Sequence, residues 1–427
     1  MKILVIGNGG REHALAWKVS QSKLSTSVFV APGNAGTALE PMITNISIPC
    51  HNIPALLDFA MTRQIDLTIV GQEVPLVNGI VDVFDNAGLK IFGPTKSAAL
   101  LEGSKVFAKD FLLRHNIPTA EYQHFTEAGL ALSYIRKKGV PIVIKVDGLA
   151  SGKGVVVART LEEAEATIKT ILVDNAFGKA GRRIIVEEFL EGEEVSFMVM
   201  VDGKNILPIA SCRDYKRVSN GDIGPNTGGM GAYSPVKIVT EIMHQRIMDE
   251  IIFPTIHGMI SEGYVYTGFL YAGLMINTNN QIYVIEFNCR LGDPESQPML
   301  LRLRSDLVDL CLAALEGKLN QKEILLDPRP AIGVVLATDG YPGVYMNGHR
   351  IHGLPLSLPG VDWKVFHAGT AMQDGVIVTN GGRVVCVTAL GEDFTAAQNF
   401  VYKLASKISW SGKFLRTDIG DRAIQCT

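Results

Sequence analysis

A chain of 427 residues with 47% hydrophobic content can fill the cores of about three domains. Its formal charge of −3 offers no basic face to nucleic acid or an anionic membrane, so an anionic ligand must be held locally. Six scattered cysteines without a CxxC pair argue against zinc and disulfides, and no apolar run approaches ~18 residues, so a soluble, untargeted, cytoplasmic protein is expected.

In chain order, KILVIGNGGREHALAWKVSQS reads as a buried strand, a turn at Gly7, Gly9 and Gly10, and a helix carrying Ala14, Leu15, Trp17 and Lys18. The runs SVFVAPGNAG, IDLTIVGQEVPLV and LKIFGP continue an alternation of parallel strands and helices, which predicts a Rossmann-like domain over residues 1–103. A nicotinamide site is not expected. GxGxxG needs glycine where Glu12 stands, and the second strand ends Val30, Ala31, Pro32 without the acidic residue that holds a ribose hydroxyl. These turns suit a small anionic ligand at the strand ends, near Gly7–Gly10, Pro32–Gly36 and Gly71–Leu76.

The pattern changes at LEGSKVFAKDFLLRHNIPTA, where Ser104 is placed to cap a helix from Lys105 to His115 and open a second domain over 104–326. A strand at Glu121–Phe125 and a helix at about Glu127–Lys138 lead to IVIKVDGLASGKGVVVA. Its two apolar runs enclose a loop with Gly148, Gly152 and Gly154, and Lys145 and Lys153 lie beside them. Glycines let backbone N–H groups turn toward a ligand and lysines add positive charge, so the loop reads as a phosphate cover or, taken alone, as an ordinary glycine-rich hairpin. It is not a P-loop, because Lys153 is followed by Gly154 and a strand, nor is it the kinase loop GxGxxGxV.

After the helix LEEAEATIKTIL come two apolar strands around the acidic bend Glu187–Glu194, and the segment 120–190 is expected to form a lid-like subdomain. The stretch SCRDYKRVSNGDIGPNTGGMGAYSP is too long and glycine-rich for a passive loop and is expected to be a lid or substrate loop. A helix over roughly Glu241–Glu262 precedes VIEFN, whose alternation puts Glu286 and Asn288 on one strand face and Phe287 on the other. Such a pair of hard oxygen donors suits Mg²⁺, with phosphates and water completing the shell, although ExN pairs also face water harmlessly. Arg290 extends the same face. Leu300–Leu319 reads as one amphipathic helix, Asp327–Pro330 as a linker, and 327–427 as a mostly β domain with a helix near Phe394–Lys407. Its His349, His352 and His367 lack metal-like spacing and read as surface or structural residues.

Taken together, GNGGREHALAWK, APGNAGT, LEGSK, IKVDGLASGKGV, EEFLEGEE, GPNTGGMGAYSP, YTGFLYAGLM and EFNCRLGDPE resemble the glycinamide ribonucleotide synthetases, also called phosphoribosylamine-glycine ligases, an ATP-grasp family of purine biosynthesis. The resemblance runs from about residue 1 to the C-terminus. It implies an α/β and α+β multidomain fold: a Rossmann-like N-terminal domain, an ATP-grasp central domain and a small, mostly β C-terminal domain. It also implies a reaction in which 5-phosphoribosylamine, glycine and ATP give glycinamide ribonucleotide, ADP and phosphate. A glycine carboxylate is unreactive toward amines, and phosphorylation would turn it into a glycyl phosphate that an amine can attack. Positioning and charge neutralisation dominate such chemistry, so no nucleophilic side chain is needed.

Residue by residue, the resemblance implies ATP phosphates at Lys105 and Lys145 under the loop of Gly148, Gly152, Lys153 and Gly154. Glu187 and Leu190 would give hinge contacts to adenine, Glu194 would hold the ribose hydroxyls, and Glu286 and Asn288 would carry Mg²⁺ or Mn²⁺. Arg290 would sit beside the transferred phosphate or the phosphoribosylamine, facing Asp214, Lys216 and Arg217, with Lys145, Arg290 and Asp214 as the catalytic set. Gly9, Gly10, Arg11, Asn34, Gly36 and Glu73 would take the sugar amine and its phosphate. A monomer acting on small molecules, with no nucleic acid or membrane partner, is expected. The chain departs from the family pattern at Gly273, where many ATP-grasp enzymes carry a further acidic metal ligand, and at Gln72 and Arg213. Two alternatives stay open: another carboxylate-amine ligase or carboxylase on the same scaffold, and a non-catalytic nucleotide-binding protein.

Overall fold

The computed structural model describes residues 1–150, 154–354 and 362–425. The first apolar run forms the strand Lys2–Gly7, flanked by Ser27–Pro32 and Leu67–Val70 in a parallel sheet that Ile43–Asn45 and Ile91–Phe92 complete on either side. Chain order reverses between Lys2–Gly7 and Leu67–Val70, so the crevice where such sheets bind ligands lies at the carboxyl ends of these two strands. The helix Gly10–Ser20 starts there. Glu12, fully buried in its first turn, accepts the Gly9 N–H at 2.6 Å and the Arg11 Nε–H at 2.6 Å. Its side chain also fills the gap between two backbones, for a Cβ on Gly7 or Gly71 would lie 2.3 or 2.4 Å from Glu12 Cγ. Glycine is required at both positions because glutamate occupies the space between them.

A second sheet of four antiparallel strands has the order Tyr122–Phe125, Ile184–Glu188, Ile142–Val146, Val155–Ala158. The helices Ala128–Lys138 and Leu161–Ile168 cover it, and Ile135, Ile144, Ala164, Ile168 and Val186 give this region an apolar core of its own. Among the described residues, a large antiparallel sheet spans most of the rest, beside two separate two-stranded hairpins. Its strands run in the order Ile282–Asn288, Thr267–Ile276, Glu193–Asp202, Ile206–Asp214, Gly231–Ser234, Ala331–Thr338, Arg383–Leu390 and Trp363–His367. The C-terminal strands therefore extend the central sheet instead of forming a detached layer.

Two sequence expectations change, and a third, the helix over roughly Glu241–Glu262, holds with an added detail. The glycine-rich stretch after Ser211 is not a loop: it holds the hairpin Arg217–Ser219 with Ile223–Asn226 and the buried strand Gly231–Ser234. That strand is too short to show alternation, and it exists because Arg213–Asp214 and Ala331–Val334 pair with it from both sides. Leu300–Leu319 is two helices, Ser296–Arg302 and Leu307–Leu315, because Asp306 caps a new start by accepting the N–H groups of Val308 and Asp309. The helix from Glu241 to Ser261 widens to a π turn at Met248–Ile252, just ahead of Pro254, which cannot donate a helical hydrogen bond.

The N- and C-terminal regions meet at a buried polar contact. His13 Nδ1 accepts the backbone N–H of His367 at 2.8 Å, and its Nε2 lies 3.1 Å from Glu40, which also pairs with Lys364. Burial holds the His13 imidazole below its ordinary value of 6.5 and that of His367 down to about 3. A depressed histidine adds stability that is present above the unfolded value and lost as the pH falls toward the folded one. Thermal stability is therefore expected to drop from about pH 6.5 downward, before the carboxylates near pH 4.5 contribute. Calorimetric melting temperatures across this window check it, and His367→Asn should flatten the upper part of the profile.

Candidate active site

The lysines are placed by a lock between two regions. Ser104 caps the helix Lys105–Arg114 by accepting the Phe107 N–H at 3.2 Å, and Asp147 Oδ1 accepts both the Ser104 hydroxyl at 3.0 Å and the Val106 N–H at 2.9 Å. Asp147 Oδ2 is held by Arg183 through two N–H groups at 3.0 and 2.5 Å. The end of the strand Ile142–Val146 is thereby fixed to the helix start, with Lys105 Nζ 3.3 Å from the Gly148 carbonyl. Lys145, on the same strand, donates to the Ile285 carbonyl at 3.2 Å and pairs with Glu187 Oε2 at 2.9 Å. Lys109 reaches that same oxygen at 3.1 Å. Burial pushes the Glu187 carboxyl up, but these two ammonium groups outweigh it and hold it below the usual range. The other oxygen, Oε1, is buried with no hydrogen-bond partner among the described residues. A ligand N–H arriving there would satisfy it.

Gly154 belongs to the fold of the hairpin as well as to any ligand: a Cβ there would lie 2.3 Å from Val146 Cγ2. At Gly148 it would meet Ala180 Cβ at 2.9 Å. Gly152 and Lys153, expected in the same loop, lie outside the described residues.

The ExN pair owes its aim to a bulge. Gly273 pairs with Glu286 but Leu274 pairs with Val284, leaving Ile285 as the extra residue. Val284 packs in the core, whereas Ile285, Glu286 and Asn288 all line the cleft, as predicted for the last two. Burial raises the Glu286 carboxyl, and Lys216, Lys145 and Lys105 around it bring it below the ordinary value. No cluster of three or more His, Cys, Asp or Glu suited to a metal is found among the described residues. The hard donors of Glu286 and Asn288 nonetheless fit a divalent ion whose remaining positions are filled by phosphates and water.

Around these groups lies a cleft of about 320 Å³ to which every region contributes: Arg11 and Glu73 from the first sheet's crevice, Lys105 and Glu286 from the centre, Arg383 from the C-terminal strands. An adjoining compartment of about 290 Å³ shares Lys145, Glu187 and Ile285 and is walled by Val143, Val157 and Met275, with Leu190 and Glu194 at its rim. This slot has an apolar wall of Val143, Val157, Met275 and Ile285, faces charged residues such as Glu188 and Arg217, and lies beside a charged chamber. Glu194 pairs with Lys216, which Glu194 and Glu286 keep charged against burial. Arg217 lines the slot and donates to the Gly224 carbonyl at 2.7 Å, and Arg213 pairs with Glu193 at 2.7 Å.

Asp214, which lines both the chamber and the slot, carries at Oδ1 a second buried oxygen with no hydrogen-bond partner among the described residues. Burial and the neighbouring Glu295 raise its carboxyl well above the ordinary value. Glu295 accepts from Ser196 Oγ at 3.1 Å, and that hydroxyl also meets Tyr271 at 2.7 Å. Arg290 stands between Glu102, 2.9 Å away, and Glu73, 3.2 Å away, while Arg11 lies 3.6 Å from Glu73. Burial raises the Glu102 carboxyl to about 7 in spite of Arg290.

Of the N-terminal residues expected at the substrate site, Arg11 and Glu73 line the chamber, whereas Gly9, Gly10, Asn34 and Gly36 are not part of its lining and much of their bonding is internal. Asn34 Nδ2 donates to the Asn8 and His367 carbonyls at 2.9 Å each, and its Oδ1 accepts the N–H groups of Gly36 at 2.9 Å and Thr37 at 3.1 Å. Gly9 and Gly10 are closely packed, since a Cβ would lie 2.9 Å from Glu12 Oε2 or 2.5 Å from Gln297 Nε2, the ends of two buried side chains. Gln72 donates to Asn8 Oδ1 at 2.7 Å. Sequence reasoning missed Lys109, Glu102, Glu295 and Arg383. Lys109 is one helical turn beyond Lys105 and could have been found from that spacing; Arg383 arrives only through the tertiary fold.

Three family models match the chain: the N domain of phosphoribosylglycinamide synthetase over residues 1–102, its ATP-grasp (A) domain over 103–296 and its C domain over 331–422. The phosphoribosylamine-glycine ligase of Escherichia coli (strain K12) is 63% identical over 426 residues, covering 100% of this chain and 99% of that one. That of Haemophilus influenzae is 62% identical over 425 residues, with 100% and 99% covered. The crystal structure of phosphoribosylamine-glycine ligase from Thermotoga maritima superposes with a TM-score of 0.83 at 34% identity, covering 98% of this chain and 100% of that one. A biotin carboxylase complex from Campylobacter jejuni shares the fold at a TM-score of 0.74 and 17% identity, over 99% and 95% of the two chains.

Proposed function

This chain belongs to the phosphoribosylglycinamide synthetase family and joins glycine to 5-phosphoribosylamine at the expense of ATP, a step of purine biosynthesis; from that premise we propose that it works through glycyl phosphate formed in the three-region cleft. The observation that carries this reading is the meeting of Lys105, Lys145, Glu286, Asn288 and Arg290 with Arg11 and Glu73 around one chamber beside an apolar slot. Adenine fits the slot, and its exocyclic amine would satisfy the unpartnered Glu187 Oε1. Lys105 and Lys145 then hold the phosphates. Mg²⁺ or Mn²⁺ on Glu286 and Asn288 would neutralise charge on the terminal phosphates.

Glycine enters with its ammonium toward the unpartnered Asp214 Oδ1 and Glu295, leaving its carboxylate free to attack the γ-phosphorus. The bond to the bridging oxygen breaks, ADP leaves, and the carboxyl becomes an acyl phosphate. Arg290 neutralises the transferred phosphoryl group. The amine of phosphoribosylamine attacks the acyl carbon, phosphate departs, and the amide forms with loss of one proton from the amine. Asp214 or Glu295 takes that proton. The same reading places a monomer in the cytoplasm; no helix among the described residues is long and apolar enough to cross a membrane.

With glycine labelled by ¹⁸O in its carboxylate, one labelled oxygen is expected in inorganic phosphate for every amide formed, with ADP as the nucleotide product. Label in AMP, or unlabelled phosphate at full coupling, would overturn the acyl phosphate. ADP release with each substrate omitted in turn checks the substrate set.

A further inference from the structure

His13 lies in the GREHALAWK segment, is 1% exposed, and has no part in the chemistry above. Its two ring nitrogens have different duties. Nδ1 receives the His367 backbone N–H at 2.8 Å and so carries no proton; Nε2, 3.1 Å from Glu40 Oε1, must carry one and donate it. Only the neutral Nε2–H tautomer makes both bonds.

The bond to His367 lies at the head of a chain of contacts. The His367 carbonyl accepts the Asn34 side-chain N–H at 2.9 Å, and Asn34 Oδ1 in turn accepts the Gly36 and Thr37 N–H groups. Gly36 is pressed against both rings, since a Cβ there would be 2.5 Å from His367 Cβ and 2.6 Å from His13 Cε1. The loop after the strand Ser27–Pro32 thus takes its shape from the end of a C-terminal strand, and His13 ties that end to the first region. We propose that His13 is a positioning residue for phosphoribosylamine: through His367 it sets the Asn34–Thr37 loop at the mouth of the N-terminal crevice. This rests on the reading that the loop receives the sugar phosphate.

The groups facing His13 are consistent with a fixed neutral ring. Glu40 comes from the first region, Lys364 and His367 from the C-terminal strand, and Phe366 meets the ring edge to face at a centroid distance of 5.5 Å. Burial, the largest influence on His13, lowers its proton affinity, and Glu40 acts as an acceptor for the Nε2 proton.

Steady-state KM values for phosphoribosylamine and ATP separate the possibilities. His13→Gln keeps a donor for Glu40 but loses the Nδ1 acceptor, and is expected to raise KM for phosphoribosylamine roughly tenfold, the size of one buried hydrogen bond, with KM for ATP unchanged. His13→Asn, which keeps an oxygen near the Nδ1 position, should recover most of that loss. Asn34→Ala tests the loop reading directly. If it leaves KM for phosphoribosylamine unchanged, the loop reading fails and the proposal with it; if it raises KM while His13→Gln does not, the proposal alone fails. A measurement on the unmutated chain covers variants that do not fold: ¹⁵N spectra of labelled histidine should show His13 as the Nε2–H tautomer throughout neutral pH. An Nδ1–H tautomer or a titrating ring would overturn the assignment.

Discussion

Replacing Glu286 or Asn288 by alanine is expected to abolish turnover while the protein stays folded. The Ile285 bulge turns both side chains into the chamber, and the packing of their strand is carried by Val284 and Phe287 on the other side. Nothing in the core is removed. The chemistry loses much more, because Gly273 stands opposite Glu286 and supplies no third donor. Each variant therefore removes half of the protein's own oxygens from the ion, in a reaction where charge neutralisation provides most of the acceleration. A loss of at least about a thousandfold in ADP release is expected at saturating Mg²⁺, with both variants still folded and a lower melting temperature for Glu286→Ala alone, because Lys216, Lys145 and Lys105 lose a shared counter-charge. Near wild-type turnover in either variant would remove the metal from this pair.

Arg290→Met is expected to damage stability and activity together. The guanidinium lies between Glu102 at 2.9 Å and Glu73 at 3.2 Å, both mostly buried, so its removal leaves two carboxylates short of their counter-ion. Breaking a buried pair from one side costs about 3–5 kcal/mol. Glu102 already holds its proton to about pH 7, so without Arg290 it would become protonated, and the penalty should be smaller at pH 6 than at pH 8. Adding Glu102→Gln to Arg290→Met should restore much of the stability, because Glu102 then carries no charge and Glu73 keeps Arg11 at 3.6 Å, but none of the turnover. A double variant that regains activity would show Arg290 to be structural. A single variant that melts like the parent would show that the pair is not the buried contact the geometry indicates.

The amino-acid sequence by itself carried the parts of this protein that depend on local pattern. The apolar run Ile3–Ile6 ended by Gly7 is a strand and turn in any context, and Ser104 ahead of an amphipathic run is a helix cap wherever it occurs. Residue types that chemistry demands were equally legible, because Lys145 beside a glycine loop and Glu286 with Asn288 at a spacing of two put charge and hard oxygens where alternation can aim them. What the pattern could not contain was pairing across distance. The strand Gly231–Ser234 has no periodicity of its own and is defined by neighbours on both sides. The bulge at Ile285 breaks the period of two just before the residues that matter, so Val284 joins the core while Glu286 faces the cleft. The two Lys–Glu187 contacts, the Glu102–Arg290–Glu73 series and the approach of Arg383 bring together charges from separate elements, and the energy of such contacts depends on burial and separation in space. The tertiary structure alone decides these, because a charge's partner is set by the distance between side chains and sequence distance carries no information about it.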